Sequence, residues 1–260
     1  MEPVEFQGDM SAPPEALRCT ACNQPLSPQS RFCPGCGSLL QPLAQSISDY
    51  SFNGTAKLLV VFYMVQLILC LLVSALDVFN DYRNVFWVEM FLAFWTLVFA
   101  FANAKDIVPL YKVTNINLPV LGLCAVGAVL FSIVIGFVVD WFNLEILGKQ
   151  FSYFQLYKDL KYSRIFFVLS IAVYPAIFEE LAFRGVVYNY VNSVSGSFNA
   201  IVISSMTFAI IHVSIVSLVW LIPFALVIGY LRYRYNTLWY GMVIHFLFNG
   251  VTCLTELGKF

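Results

Sequence analysis

The chain has 260 residues, 60% of them apolar or aromatic and only 11% charged, with a formal net charge of −1. Soluble chains carry about a quarter charged residues, so this composition excludes an ordinary soluble globular protein and implies an integral membrane protein. No basic run is present to neutralise phosphates, which excludes nucleic acid as a partner. Residues 1–18 are polar and proline-bearing, read as a loose tail, and lack the basic-then-apolar pattern of a cleavable signal peptide. Two CxxC pairs follow, Cys19/Cys22 and Cys33/Cys36, within a segment spanning 19–40. Four thiolates at this spacing, with glycines permitting tight knuckles, predict a small four-cysteine zinc ribbon whose closed coordination makes its zinc structural. A pair of disulfides is the competing reading and would need an oxidising compartment. Residues 41–56, rich in Ser, Gln and Pro, read as a linker.

From residue 57 to the end, long apolar runs alternate with short polar gaps and predict an all-α polytopic membrane domain of about seven transmembrane helices. Their expected limits are 58–79, 85–102, 118–140, 165–190, 198–212, 215–231 and 237–254. The fifth and sixth are separated only by His212, Val213 and Ser214. With the N-terminus cytosolic, Lys57, Lys105, Lys112, Arg232 and Arg234 all fall on the cytoplasmic side of a cell inner or plasma membrane, leaving the C-terminus external. The gap 141–164 carries Lys149, Lys158, Lys161 and Arg164 with Trp141, Tyr153, Phe154, Tyr157 and Tyr162, which suits an amphipathic segment at the interface. Asp140 and Trp141 mark a boundary. Cys70, Cys124 and Cys253 read as small buried hydrophobes.

The chemistry lies in the fourth span, where Glu179, Glu180 and Arg184 stand inside apolar sequence. A charge at bilayer depth costs roughly 2.5 to 3.5 kcal/mol and so needs compensation or a job. Glu180 and Arg184 are four apart with the acid first, the favourable order for a pair on one helix face. Glu179 lies about 100° around the helix, which leaves it free to act as a general base. The chain's two histidines, His212 and His245, are also in apolar segments, and His245 shares a face with Asn249 one turn on. Polar groups that cannot reach water in lipid must meet one another, which predicts that these six converge. A lone intramembrane histidine is more often a packing residue; two in separate spans change that balance. Glu89 is expected to reach the interface from the second span, and Ser204, Ser205 and Ser214 are read as ordinary helix-contact residues because no GxSxG accompanies them.

Three motifs, Glu179-Glu180 with Arg184, Phe208 with His212, and His245 with Asn249, resemble in order and spacing those of the CPBP family, the CAAX-protease and bacteriocin-processing (Abi) intramembrane proteases. The resemblance covers about residues 164–254. It implies that Glu179 takes a proton from the attacking water, His212 helps hold that water, His245 and Asn249 donate to the oxyanion, and Glu180 with Arg184 orients the site. It also implies a membrane-associated peptide or membrane-protein substrate, prenylated or not, cut within or close to the membrane lipid, with cytosolic access favoured by the depth of the glutamates in the fourth span; the zinc ribbon, outside the resemblance, is a candidate site for a protein partner. A catalytic zinc on Glu179, His212 and His245 and a metal-free glutamate mechanism both remain open; the HExxH helix is absent. A non-proteolytic binding or immunity protein is the alternative from another class. A transporter would need a polar file across the whole membrane, whereas these residues cluster in one zone, and no internal repeat is evident.

Overall fold

The structure is a computed structural model that describes residues 18, 19, 21–25, 36, 52–148 and 152–259. The rest of the tail, Cys33, the linker up to residue 51 and Lys149 lie outside the described residues. The chain divides into two units, Met1–Gly54 and Thr55–Phe260. In the first, Arg18 pairs with Pro25 as an isolated antiparallel bridge, and the loop between them closes through Cys19 N–H to Gln24 O (2.9 Å) and Asn23 N–H to Cys19 O (2.8 Å). Asn23 takes the left-handed conformation (φ 61°) that turns the loop back, one that asparagine tolerates better than most residues.

The second unit is helical, as a chain in lipid must be, because its backbone groups have to pair internally. Its long helices are α1 (Phe52–Ala75), α2 (Tyr82–Ala102) and α3 (Leu118–Glu145). A composite rod follows, made of α4 (Ser163–Val168), a π segment (Leu169–Val173), α5 (Tyr174–Glu180), a second π segment (Leu181–Val187) and α6 (Tyr188–Ile210). The last two helices are α7 (Ile215–Tyr235) and α8 (Trp239–Leu257). Among the described residues, five stretches are long and apolar enough to cross a membrane: Ala56–Ala75, Tyr82–Ala102, Leu118–Glu145, Ser163–Ile210 and Ile215–Tyr235. The 48 residues of Ser163–Ile210 would reach about 72 Å at 1.5 Å per residue, far beyond one bilayer core. Gly196, with φ 82° and ψ 170°, breaks that stretch, so it supplies two rods. With the 19-residue α8 this makes the expected architecture of about seven. Phe101, Leu123, Phe137 and Val219 are each at least 75% exposed, an apolar exterior suited to lipid.

Two expectations shift. α6 ends at Ile210, and Val213 (φ 51°) with Ser214, whose Oγ caps α7 through Ser217 N–H, forms the turn. His212 therefore sits in that turn and is exposed, not inside a span. The 141–164 gap is only half interfacial. α3 runs on to Glu145, and Phe154 and Tyr157 are buried against Tyr82 and Phe167, while Tyr153 and Tyr162 stay outside. Buried Glu256 fixes this strap, accepting from Ser152 Oγ (3.2 Å), Tyr153 N–H (3.1 Å) and Phe154 N–H (2.9 Å).

Candidate active site

The site is built on the winding of the composite rod. Pro175 opens α5 without an N–H, so the carbonyl four residues back, that of Ile171, loses its helical partner. The ring also crowds that carbonyl, and the chain answers with the wider π turn at Leu169–Val173. Asn249 of α8 supplies the missing donor, its Nδ2 lying 2.8 Å from Ile171 O. One amide hydrogen of Asn249 is thus committed to holding α8 against the rod. The second π turn follows Glu180 at once and is buried throughout its seven residues.

Glu180 is the centre of the cluster, fully buried between α5 and α8. Its Oε1 accepts from Arg184 Nη1 at 3.1 Å and meets His245 Nδ1 at 3.0 Å. Arg184, 1% exposed, also donates from Nη2 to Ala225 O (3.3 Å) and lies under the ring of Phe208, 4.4 Å from its centroid. Two charged groups and an imidazole therefore share one buried clamp. Separating a buried pair leaves an uncompensated charge, at about 3 to 5 kcal/mol.

Glu179 faces elsewhere, as its position on the helix requires. It is 24% exposed, and its Oε2 has no hydrogen-bond partner and lies 4.0 Å from His245 Nε2. Since an ionised Glu180 can only accept, His245 carries a proton on Nδ1, and in the neutral ring Nε2 is a lone pair turned toward Glu179. Phe208 links the second histidine to this group: its ring is edge-on to His212 (4.9 Å) and to His245 (5.6 Å). His212 Nδ1 bonds the Phe208 carbonyl at 2.9 Å, which leaves Nε2 as its outward atom. Glu179, Glu180, Arg184 and His245 thus come together at the seam where α5 meets α8, whereas Asn249 is tied to the Ile171 carbonyl and His212 is joined to the group only through Phe208.

Glu89 does not reach the interface as expected. It is half-buried, accepting from Ser170 Oγ and from Tyr82 OH (3.3 Å), while Tyr157 OH bonds Ser170 (3.0 Å) and Tyr174 OH bonds the Glu89 carbonyl. Lipid offers no partner, so the side chain turns inward. Serines 204 and 205 lie at the α6–α7 contact as expected; Ser205 Oγ is where a Cβ on Gly229 would press at 3.2 Å.

For metal, the group that gathers three ligand atoms within 4.8 Å of one another among the described residues is Cys19, Cys22 and Cys36. The Sγ atoms of Cys19 and Cys36 are 3.7 Å apart. These three thiols can hold a metal ion. Glu179, His212 and His245 do not form such a group, and His245 turns its two nitrogens toward different carboxylates. The residues at the seam do not fit a single-ion site in this arrangement.

Two positions matter more in the fold than in the sequence reading, where Phe208 is only a motif position and Gly241 does not figure. Phe208 is fully buried and touches Arg184, Phe183, His212 and His245, although its motif points only to the histidine. Gly241 is one turn before His245, and a Cβ there would overlap Glu180 Oε2 and stand 3.0 Å from its Cδ. Its position at four before His245 was the available signal. Residues 161–251 match the family model described as type II CAAX prenyl endopeptidase Rce1-like. No curated protein and no solved structure matches the chain.

Proposed function

We propose, for a chain whose residues 161–251 belong to the CPBP group of CAAX-type intramembrane endopeptidases, that Glu179 activates water without a catalytic metal. The observation that carries this is the 4.0 Å separation of Glu179 Oε2 and His245 Nε2, two acceptors facing each other. A water about 2.8 Å from each would subtend roughly 90°, close to its own bond angle, and would donate one hydrogen to each. Its lone pair is then left for the scissile carbonyl. Glu179 takes the proton as the C–O bond forms and returns it to the departing amine as the C–N bond breaks, giving a carboxylic acid and a free amine. The second amide hydrogen of Asn249 is the donor for the oxyanion, and His212, whose ring meets that of Phe208, helps to retain the water. Glu180 and Arg184 fix the tautomer and position of His245.

The substrate is a membrane-associated peptide of the prenylated CAAX type. An apolar groove of about 250 Å³ along α5 and α8, lined by residues including Ala176, Ile177, Met242 and Phe246, offers hydrocarbon a place on the helices that bear Glu179 and His245. The lysines and arginines flanking the spans support a cytosolic N-terminus and cytosolic access. The cysteine cluster, completed by Cys33, holds a structural zinc and serves as a docking module for a protein partner. The test is cleavage of a fluorogenic farnesylated peptide by the purified protein. Glu179→Gln, which keeps shape and removes the base, is expected to lose about 10²- to 10⁴-fold in rate. Full cleavage by Glu179→Gln refutes the mechanism. Replacing Cys19 and Cys22 by Ser is expected to release the bound zinc while cleavage persists.

A further inference from the structure

α1 lies outside the matched stretch and carries none of the three motifs, yet it presents a polar stripe to the catalytic rod. Tyr63, Leu67 and Cys70 pack on the cluster that contains Leu181, Phe183 and Phe208. Cys70 is within electrostatic reach of Glu179. Gln66 falls between Tyr63 and Cys70 on the same helical face, three residues from one and four from the other. It is only 5% exposed.

Both polar side chains on this stripe end in atoms with no hydrogen-bond partner: Gln66 Nε2 and Tyr63 OH. A further such atom on the opposing rod is Glu179 Oε2. The Phe62 carbonyl, one turn before Gln66, already takes the indole N–H of Trp95 at 3.2 Å. A buried amide N–H₂ without an acceptor costs several kcal/mol in an apolar medium, and apolar residues of the same length were available to fill the site. Four residues of helix separate Gln66 from Cys70, about 6 Å along the axis, the same step that separates Glu180 from Arg184. The amide therefore stands one turn from Cys70 on the face of α1 whose Tyr63, Leu67 and Cys70 pack on the cluster containing Leu181 and Phe183.

We infer that Gln66, with Tyr63 beside it, forms the wall of the catalytic cavity opposite Glu179 and donates hydrogen bonds to backbone carbonyls of the extended peptide substrate. An extended peptide exposes such carbonyls on both edges. Glu179 and His245 meet the scissile bond from one side, and α1 holds the flanking residues from the other. Burial of the amide gives it value as a specificity element, since a correctly placed peptide carbonyl pairs with it and lipid hydrocarbon cannot.

This assignment rests on the protease reading, and the test separates the two. Full-length protein in detergent is compared as wild type, Gln66→Met, Glu179→Gln and the double variant, using a fluorescent farnesylated peptide and thermal unfolding. Methionine keeps the length and apolar bulk and removes only the amide. Expected is about a ten-fold fall in kcat/KM for Gln66→Met, with an unchanged or raised Tm. An equal loss of peptide affinity is expected when Gln66→Met is added to the non-cleaving Glu179→Gln protein. Unaltered peptide affinity in the double variant, or a lowered Tm with unaltered kcat/KM, overturns the inference and makes Gln66 structural. Cleavage by Glu179→Gln overturns the mechanism alone, since the affinity comparison still stands. A wild-type protein that neither binds nor cleaves the peptide overturns both.

Discussion

Gly241 tests whether the Glu180 clamp is as tight as its geometry implies. In Gly241→Ala the new methyl would overlap Glu180 Oε2 and stand 3.0 Å from Glu180 Cδ and 2.9 Å from Ile228 Cγ2. Carbon atoms rest about 3.5 to 4.0 Å apart, so each carbon contact is too short by about 0.5 to 1 Å. Ile228 is 1% exposed and has little space to yield. Glu180 can retreat only by giving up His245 at 3.0 Å and Arg184 at 3.1 Å. Hydrogen bonds to charged groups contribute about 1.5 to 3 kcal/mol each, so expulsion costs about 3 to 6 kcal/mol. The expected result is a Tm lowered by roughly 10 °C. Cleavage should fall about 100-fold, because His245 loses the group that fixes its ring. The decisive comparison is the same change in a Glu180→Ala background, where the carboxylate is gone and only the Ile228 contact remains. There Gly241→Ala should cost markedly less. A wild-type Tm and rate in the single variant, or an equal penalty in both backgrounds, refutes the reasoning.

Asn249→Ala leaves the Ile171 carbonyl without a donor and should destabilise by about 1 to 3 kcal/mol; adding Pro175→Ala restores an N–H four residues on and should recover part of the Tm, and no recovery would mean that Asn249 does not serve that carbonyl. Glu256→Ala removes the acceptor for Ser152, Tyr153 and Phe154, and hydrogen exchange at Tyr153 and Phe154 N–H should accelerate at least about ten-fold while the α5–α8 seam keeps its protection. Unchanged exchange there would show the strap to be held by its aromatic contacts instead. Hydrogen bonds from the exposed Arg83 guanidinium, and then from its N–H, hold the Asp81 carboxyl below the usual range. A lowered folded value places the cap's stability above the ordinary aspartate range and removes it as pH falls through the lowered value. Protection of the amides in the first turn of α2, taken relative to their intrinsic exchange rate at each pH, should therefore stay constant from neutrality to about pH 4 and fall below it; a loss of protection already near neutrality would contradict this assignment.

The spans were legible because hydrocarbon leaves the backbone no choice but helix, and the convergence of Glu180, Arg184 and His245 because buried charges in lipid have few possible partners. The separate roles of Glu179 and Glu180 followed from the roughly 100° between neighbours on a helix. What could not be read is where the winding departs from about 3.6 residues per turn. The two π segments, the Gly196 break and the turn that releases His212 from α6 each shift side chains by a fraction of a turn, and apolar composition is the same on either side of the shift. Gly241 is invisible for a related reason, since its value is the absence of a Cβ against Glu180, a residue on a different helix and remote in sequence. Asn249 shows the consequence for mechanism. From the motif it is a donor facing substrate; from the fold it is first the replacement for the N–H that Pro175 lacks. Both assignments draw on one amide, whose two hydrogens lie about 120° apart. With one hydrogen fixed on Ile171 O, the direction of the other is set by α8 and cannot rotate to follow substrate. On the proposed mechanism the proline would therefore orient the oxyanion donor, tying the pairing of Pro175 with Asn249 to the chemistry as well as to the fold.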